Sequence, residues 1–118
     1  MTRIPLVLAF TFLAAAWASA QSSLSPHQRL AREVYAELIA INTADSVGSV
    51  TRAAEAMARR FRAAGFAASD VQVLVPAGQP TKGNLVVRYR GRAGATAKPI
   101  LLLAHLDVVA ARREEWPR

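Results

Sequence analysis

The sequence contains no cysteine. In an exported chain that absence excludes disulfides as the source of stability, and it leaves no thiol at a cleavage site to carry a lipid anchor. Stability must then come from an apolar core, from a metal or from further chain. Long basic runs are also missing. The formal net charge of +7 is spread along the chain, through Arg29, Arg59, Arg60, Arg88, Arg92 and Arg113, with no cluster interleaved with aromatic residues. A nucleic-acid-binding stripe would need such clustering, so a solvated arginine-rich surface is the reading and no nucleic-acid partner is expected. Histidine is scarce, with two in 118 residues, and no internal repeat is visible.

Of the 53% hydrophobic residues, part belongs to the N-terminus, "MTRIPLVLAFTFLAAAWASA". Arg3 gives a short positive start, Ile4 to Trp17 an apolar run, and Ala18-Ser19-Ala20 a small-x-small site, the three-part pattern of a secretory signal peptide. The apolar run falls short of the ~20 residues a spanning helix needs. Residues 1–20 are therefore expected to be a cleaved signal, with the mature chain starting at Gln21, no stable membrane anchor after cleavage, and a periplasmic or secreted location. Cleavage removes one of the 15 basic residues, Arg3, and none of the eight acidic ones.

Beyond the signal, "SSLSPHQRLAREVYAELIAIN" predicts a helix. Ser25 can cap it, Pro26 suits its first position, and Leu30, Val34, Leu38 and Ile41 recur on one face. After the turn-rich "TADSVGS", "VTRAAEAMARRFRAAGF" predicts a second helix. Val50, Ala54, Met57, Phe61 and Ala64 form its apolar stripe, and Arg52, Glu55, Arg59 and Arg62 its wet face. Gly65 is placed to end it in a left-handed cap, with Phe66 folding back. The period then changes. "DVQVLVP" alternates as a strand, "AGQPTKG" is a loop, and "NLVVRYRG" is a second strand with Leu85, Val87 and Tyr89 on one face and Val86, Arg88 and Arg90 on the other. After "RAGATAK", Ile100 to Ala104 is an aliphatic run without alternation, the pattern of a strand covered on both faces. Two helices and then three strands make an α/β order.

That third strand ends in a histidine and, one residue later, an aspartate. Alternation along an extended chain would place His105 and Asp107 on one face, at a strand end of the kind where α/β sheets gather ligands. A carboxylate two residues from an imidazole can take a hydrogen bond from one ring nitrogen while the other binds a metal. The tripeptide alone leaves two readings open, a metal ligand or a strand-end histidine satisfied by hydrogen bonding.

The wider stretch is more specific. "GNLVVRYRG", a loop, "PILLLAHLDVV" and then Trp116 resemble the start of the zinc-dependent metallopeptidases and deacylases that include acetylornithine deacetylase, succinyl-diaminopimelate desuccinylase, aminoacylase and glutamate carboxypeptidase. "ELIAINTADSVGSVTRAAEAMARRFRAAGF" is similar to their first helix, loop and second helix, so the resemblance covers roughly residues 28–118. Members usually carry glycine before the histidine, where this chain has Ala104, a small-for-small change. A second clan of zinc aminopeptidases also uses His-x-Asp, but Val108-Val109 and Trp116 fit it less well.

The resemblance implies the opening part of a three-layer α/β/α zinc-hydrolase catalytic domain, with residues 21–118 as its truncated N-terminal portion. It implies His105 as a ligand of one zinc of a two-zinc site, and Asp107 as the residue of the catalytic site that orients its imidazole. The reaction implied is hydrolysis of an amide bond in a peptide or N-acyl-amino-acid substrate by a metal-activated water, and a homodimer is compatible with it at full length. The family's bridging aspartate, paired glutamates and later histidine have no counterpart, so residues 21–118 alone are expected to be inactive. Glu114 and Glu115 fall too early for the catalytic pair, and "ARREEWPR" reads as a solvated loop with Trp116 packing nearby. His27, beside Pro26, reads as an exposed helix-start residue. The alternative function is a small exported non-catalytic binding protein in which His105 and Asp107 make only a structural contact.

Overall fold

The computed structural model describes residues 24–116, and the segment read as a signal peptide, residues 1–20, lies outside the described residues. Two compact units divide the chain, Met1–Tyr35 and Ala36–Arg118. Helix α1, Pro26–Ile39, begins in the first and ends in the second.

In the first unit, Ser25 and Gln28 start α1 with a reciprocal cap. The Gln28 backbone N–H donates to Ser25 Oγ at 3.3 Å, and the Ser25 N–H donates to Gln28 Oε1 at 2.8 Å. This pairing satisfies two of the donors that every helix start leaves free, and Pro26 has no N–H to satisfy. The expected apolar stripe is present in sequence but not covered: Leu30 is exposed, Val34 half-buried, and no residue of α1 is buried.

The second unit is built around helix α2, Val50–Ala63. Ser49 caps it by accepting from the Arg52 N–H at 3.3 Å. Its buried face is made of small side chains, Ala53, Ala54, Ala56 and Ala58, with Met57. Such a face lets a sheet approach closely, and α2 packs against both strands of a hairpin. Arg52, Glu55, Arg59 and Arg62 face solvent as expected, while Ala64, assigned to the apolar stripe, is exposed. Arg60 pairs with Glu37 at the end of α1. The helix closes as the sequence predicts. Gly65 has φ +92°, its N–H donates to Arg62 O at 3.0 Å, and the Phe66 N–H reaches Phe61 O at 3.1 Å. Those two bonds define a Schellman closure, and the Phe61 and Phe66 rings seal it edge to face with centroids 5.2 Å apart.

Strands β1, Val71–Leu74, and β2, Asn84–Val87, pair antiparallel, with Val71 opposite Val87 and Leu74 opposite Asn84. Along β2, Leu85 and Val87 are half-buried and Val86 exposed, the alternation a one-sided hairpin requires. The connecting loop is tied back to the start of α2. Thr51 Oγ1 donates to Pro80 O and accepts from the Gly83 N–H, both at 2.7 Å, and the Val50 N–H donates to Thr81 O at 2.9 Å.

The third strand is where the expectation fails. Ile100–Ala104 is not a strand, and Ile100, Leu101, Leu102 and Leu103 are between 84% and 91% exposed. An apolar run becomes a buried strand only when neighbours supply ladder hydrogen bonds and cover both faces. The hairpin β1–β2 is the whole sheet among the described residues, and no described segment pairs with the run. Beyond the run, Val108 forms a single parallel β-bridge with Ala44. Trp116, expected to pack, is 66% exposed. The architecture is thus a small mixed α/β module of two helices followed by a short antiparallel hairpin. Among the described residues no helix is long and apolar enough to cross a membrane.

Candidate functional site

His105 and Asp107 come together without the strand that was expected to align them. His105 Nδ1 lies 3.0 Å from the Asp107 backbone carbonyl and 3.2 Å from Asp107 Oδ1. Both acceptors call for a proton on Nδ1, which fixes the tautomer and leaves Nε2 as the lone-pair nitrogen. Nε2 has no hydrogen bond among the described residues. The contact is open to solvent, with the imidazole 84% and the carboxylate 63% exposed. Spacing alone does this, because an i, i+2 carboxylate is within reach of the ring in any locally extended chain.

The remaining ionisable residues singled out in the sequence stay apart from this pair. His27 is exposed in the first turn of α1. Glu114 and Glu115 sit exposed in the short 3₁₀ turn Arg113–Glu115, where Glu115 is 3.9 Å from Arg112. Among the described residues no three of His, Cys, Asp and Glu gather as a metal site would require. The donor chemistry of His105 with Asp107 therefore suits one oriented ligand of a zinc site, not a complete set.

A second electrostatic cluster escaped the sequence reading. Asp70, in the 3₁₀ turn before β1, is buried, and Arg90 grips it with two bonds, Nε to Oδ2 and Nη2 to Oδ1, both 2.7 Å. Arg88 Nη1 stands 3.9 Å from the same carboxylate, and its N–H donates to Asp70 O at 2.8 Å. A fork-to-carboxylate pair is among the stronger polar contacts. The Arg90 hydrogen bonds hold the Asp70 carboxyl below its ordinary range; burial works the other way, and the Arg90 and Arg88 charges add to the lowering. The one signal for it in sequence is that Asp70 is the nearest acidic residue before a stretch that has none until Asp107.

The pH dependence follows in sign. A carboxyl whose folded value lies below its unfolded value of about 3.9 binds fewer protons when folded, so it stabilises the fold above that value and loses the contribution as acid titrates the folded group. The stability advantage of the wild-type chain over Asp70→Asn is expected to be present near neutral pH and to close as pH falls below about 4. Urea midpoints for both chains across that range read it directly. An advantage that persists or grows in acid would show that the pair contributes nothing through ionisation.

A cleft of about 800 Å³ runs beside Arg88, Tyr89, Arg92, Lys98, Ile100 and Leu102, and neither His105 nor Asp107 lines it. Compared with family models, curated proteins and solved structures, the chain returns no match.

Proposed function

We propose that this chain carries the first metal-ligand segment of an exported, two-zinc amide hydrolase, a metallopeptidase or N-acyl-amino-acid deacylase, with His105 as a zinc ligand. The observation that carries the reading is the tautomer lock: Asp107 occupies Nδ1 from two oxygens and leaves Nε2 free to donate its lone pair. An orienting carboxylate of this kind raises the basicity of the ligand and fixes the ring plane. The chemistry a zinc pair supplies when bound is a water of lowered pKa beside a polarised amide carbonyl. Asp107 is a positioning residue in this scheme, acting through His105. The remaining ligands and the general base would come from chain outside this sequence, and the same chain would cover Ile100–Ala104 as a central strand of a three-layer α/β/α domain. Residues 21–118 alone are then inactive as a peptidase.

Titrating Zn²⁺ into the chain while following the imidazole nitrogens by NMR tests the ligand assignment without needing turnover. His105 Nε2 should respond at zinc concentrations below those that move His27, whose ring has no orienting carboxylate. Asp107→Asn should weaken the His105 response by about tenfold, the scale of an outer-shell partner. Equal responses from the two histidines, unchanged by Asp107→Asn, would remove the metal reading. They would leave the second reading, a non-catalytic exported binding protein with a structural His–Asp contact, which is favoured by the solvent exposure of the pair.

A further inference from the structure

Between β2 and the aliphatic run lies Gly91–Lys98, "GRAGATAK", every residue of it exposed and none in a helix or strand. One backbone hydrogen bond closes a turn within it, from the Ala95 N–H to Arg92 O at 3.1 Å, and Gly94 takes φ +78° beside it. Unlike the run that follows, this loop carries no large apolar side chain and asks for no cover. Small and polar residues on an exposed loop are where endoproteases nick a folded chain. Such a loop can be drawn extended into a protease cleft without opening the structure around it.

An endoprotease with an aspartate in its specificity pocket selects basic side chains, and the fold separates Arg92 from the other candidates. The arginines of α1 and α2 lie inside helices that would have to open first. Arg88 and Arg90 are held by Asp70: the Arg88 N–H donates to Asp70 O at 2.8 Å, and the Arg90 guanidinium is forked onto the carboxylate by two bonds of 2.7 Å. Lys82 pairs with Asp45, and the N–H of the bond after it, on Gly83, donates to Thr51 Oγ1 at 2.7 Å. Lys98 precedes Pro99, whose ring restricts the backbone before it and crowds the place of the leaving amine. Arg112 and Arg113 precede Glu114 and Glu115, carboxylates that would meet the aspartate of the pocket, and Arg112 Nε already faces Glu115 Oε1 at 3.9 Å. Arg92 is exposed, and Ala93, Gly94 and Ala95 follow it with neither proline nor carboxylate.

We propose that Arg92–Ala93 is a proteolytic modification site, cut by an arginine-specific endoprotease to detach the segment that carries His105 and Asp107. The amide C–N bond breaks and one water adds across it, so that Arg92 ends in a carboxylate and Ala93 begins in an ammonium. Every buried residue of the described chain lies before the cut, from Thr43 to Gly83, and the packing of α2 on the hairpin is left whole. After the cut, Leu106 alone among the described residues is half-buried, and the single parallel bridge from Val108 to Ala44 ties the segment back. Cleavage is independent of the zinc reading. Its action as an off-switch for a metal-ligand segment rests on that reading.

Limited digestion of the whole 118-residue chain with trypsin, followed by intact mass, tests the site. Within residues 24–116 the first products should end at Arg92 and begin at Ala93. Every other cut there should be at least about tenfold slower, since a bond inside folded structure is cut in proportion to its open population. Arg92→Gln should slow the first cut by the same factor, Arg92→Lys should be cut again at the same bond, and Arg113→Gln should be cut as the wild type. Far-UV circular dichroism should be alike in all four chains and should keep its helical signal after the first cut. Gel filtration should then part residues 93–118 from the remainder. A first cut at any other basic residue, an undiminished rate in Arg92→Gln, or loss of the helical signal on nicking would each overturn the site. Co-elution of the two products would overturn detachment, whether or not His105 of the uncut chain responds to Zn²⁺.

Discussion

Thr51→Val is expected to lower the unfolding free energy by about 2–3 kcal/mol, although valine has nearly the shape of threonine. Thr51 is 9% exposed at the start of α2, and its hydroxyl is the joint between helix and hairpin loop. It donates to Pro80 O and accepts from the buried Gly83 N–H. Valine fills the same space but returns nothing to that N–H, and a buried donor left without a partner loses more than the net worth of one hydrogen bond. The approach is close enough that a Cβ on Gly83 would stand 2.7 Å from Thr51 Oγ1, so water has no room to substitute. Thr51→Ser separates the causes. It keeps the hydroxyl and removes one methyl, which should lower stability by about 1 kcal/mol. Urea denaturation of the three chains should rank them wild type, then serine, then valine. A valine variant as stable as the serine variant would show that methyl packing, not the hydroxyl, holds the loop.

How far the fold is legible in the sequence depends on the range of the forces that make it. The closure of α2 at Gly65 and Phe66 is a local event, set by one left-handed glycine and an aromatic five residues from its partner, and it forms as predicted. The alternation of Leu85, Val86 and Val87 likewise needs only a hairpin neighbour, which β1 supplies a short loop away. The run Ile100–Ala104 fails for the converse reason. Apolar character states that a segment should be covered, but the cover is a property of other segments, and no described segment provides it. The contact between His105 and Asp107 survives that failure because two-residue spacing does not need a sheet. The Asp70 cluster is legible only through the register of the hairpin, which the alternation of β2 by itself does not give. Val71 pairs with Val87, so the next position sets Asp70 opposite Arg88, whose backbone N–H donates to Asp70 O, and Arg90, 20 residues after Asp70, reaches the same residue's carboxylate.

Gly48→Ala is expected to be the more damaging of two matched glycine replacements, lowering stability by about 3 kcal/mol. A Cβ at Gly48 would lie 2.6 Å from Ala44 N, 2.6 Å from Asn42 O and 2.7 Å from Ala44 O. All three are backbone atoms, which cannot swing aside as a side-chain tip can. They are also fixed in place. The Gly48 N–H donates to Ala44 O at 2.7 Å, the Ser49 N–H to Asn42 O at 2.9 Å, and the Ala44 N–H to Asn42 Oδ1 at 3.0 Å. Accommodating a methyl therefore means breaking the turn. Gly65→Ala is the control, because its φ of +92° imposes backbone strain with no heavy atom within 4 Å of the added carbon, a penalty of about 1–2 kcal/mol. The two variants should differ in reach as well as in size. Ala44 forms the bridge to Val108, immediately after Asp107, so opening the turn should also release the segment that carries the His105–Asp107 pair. Amide exchange at Val108 and Val109 is expected to accelerate in Gly48→Ala and to stay unchanged in Gly65→Ala. If both variants lose the same stability and leave that exchange alike, the turn is not what anchors the candidate ligand segment to the fold.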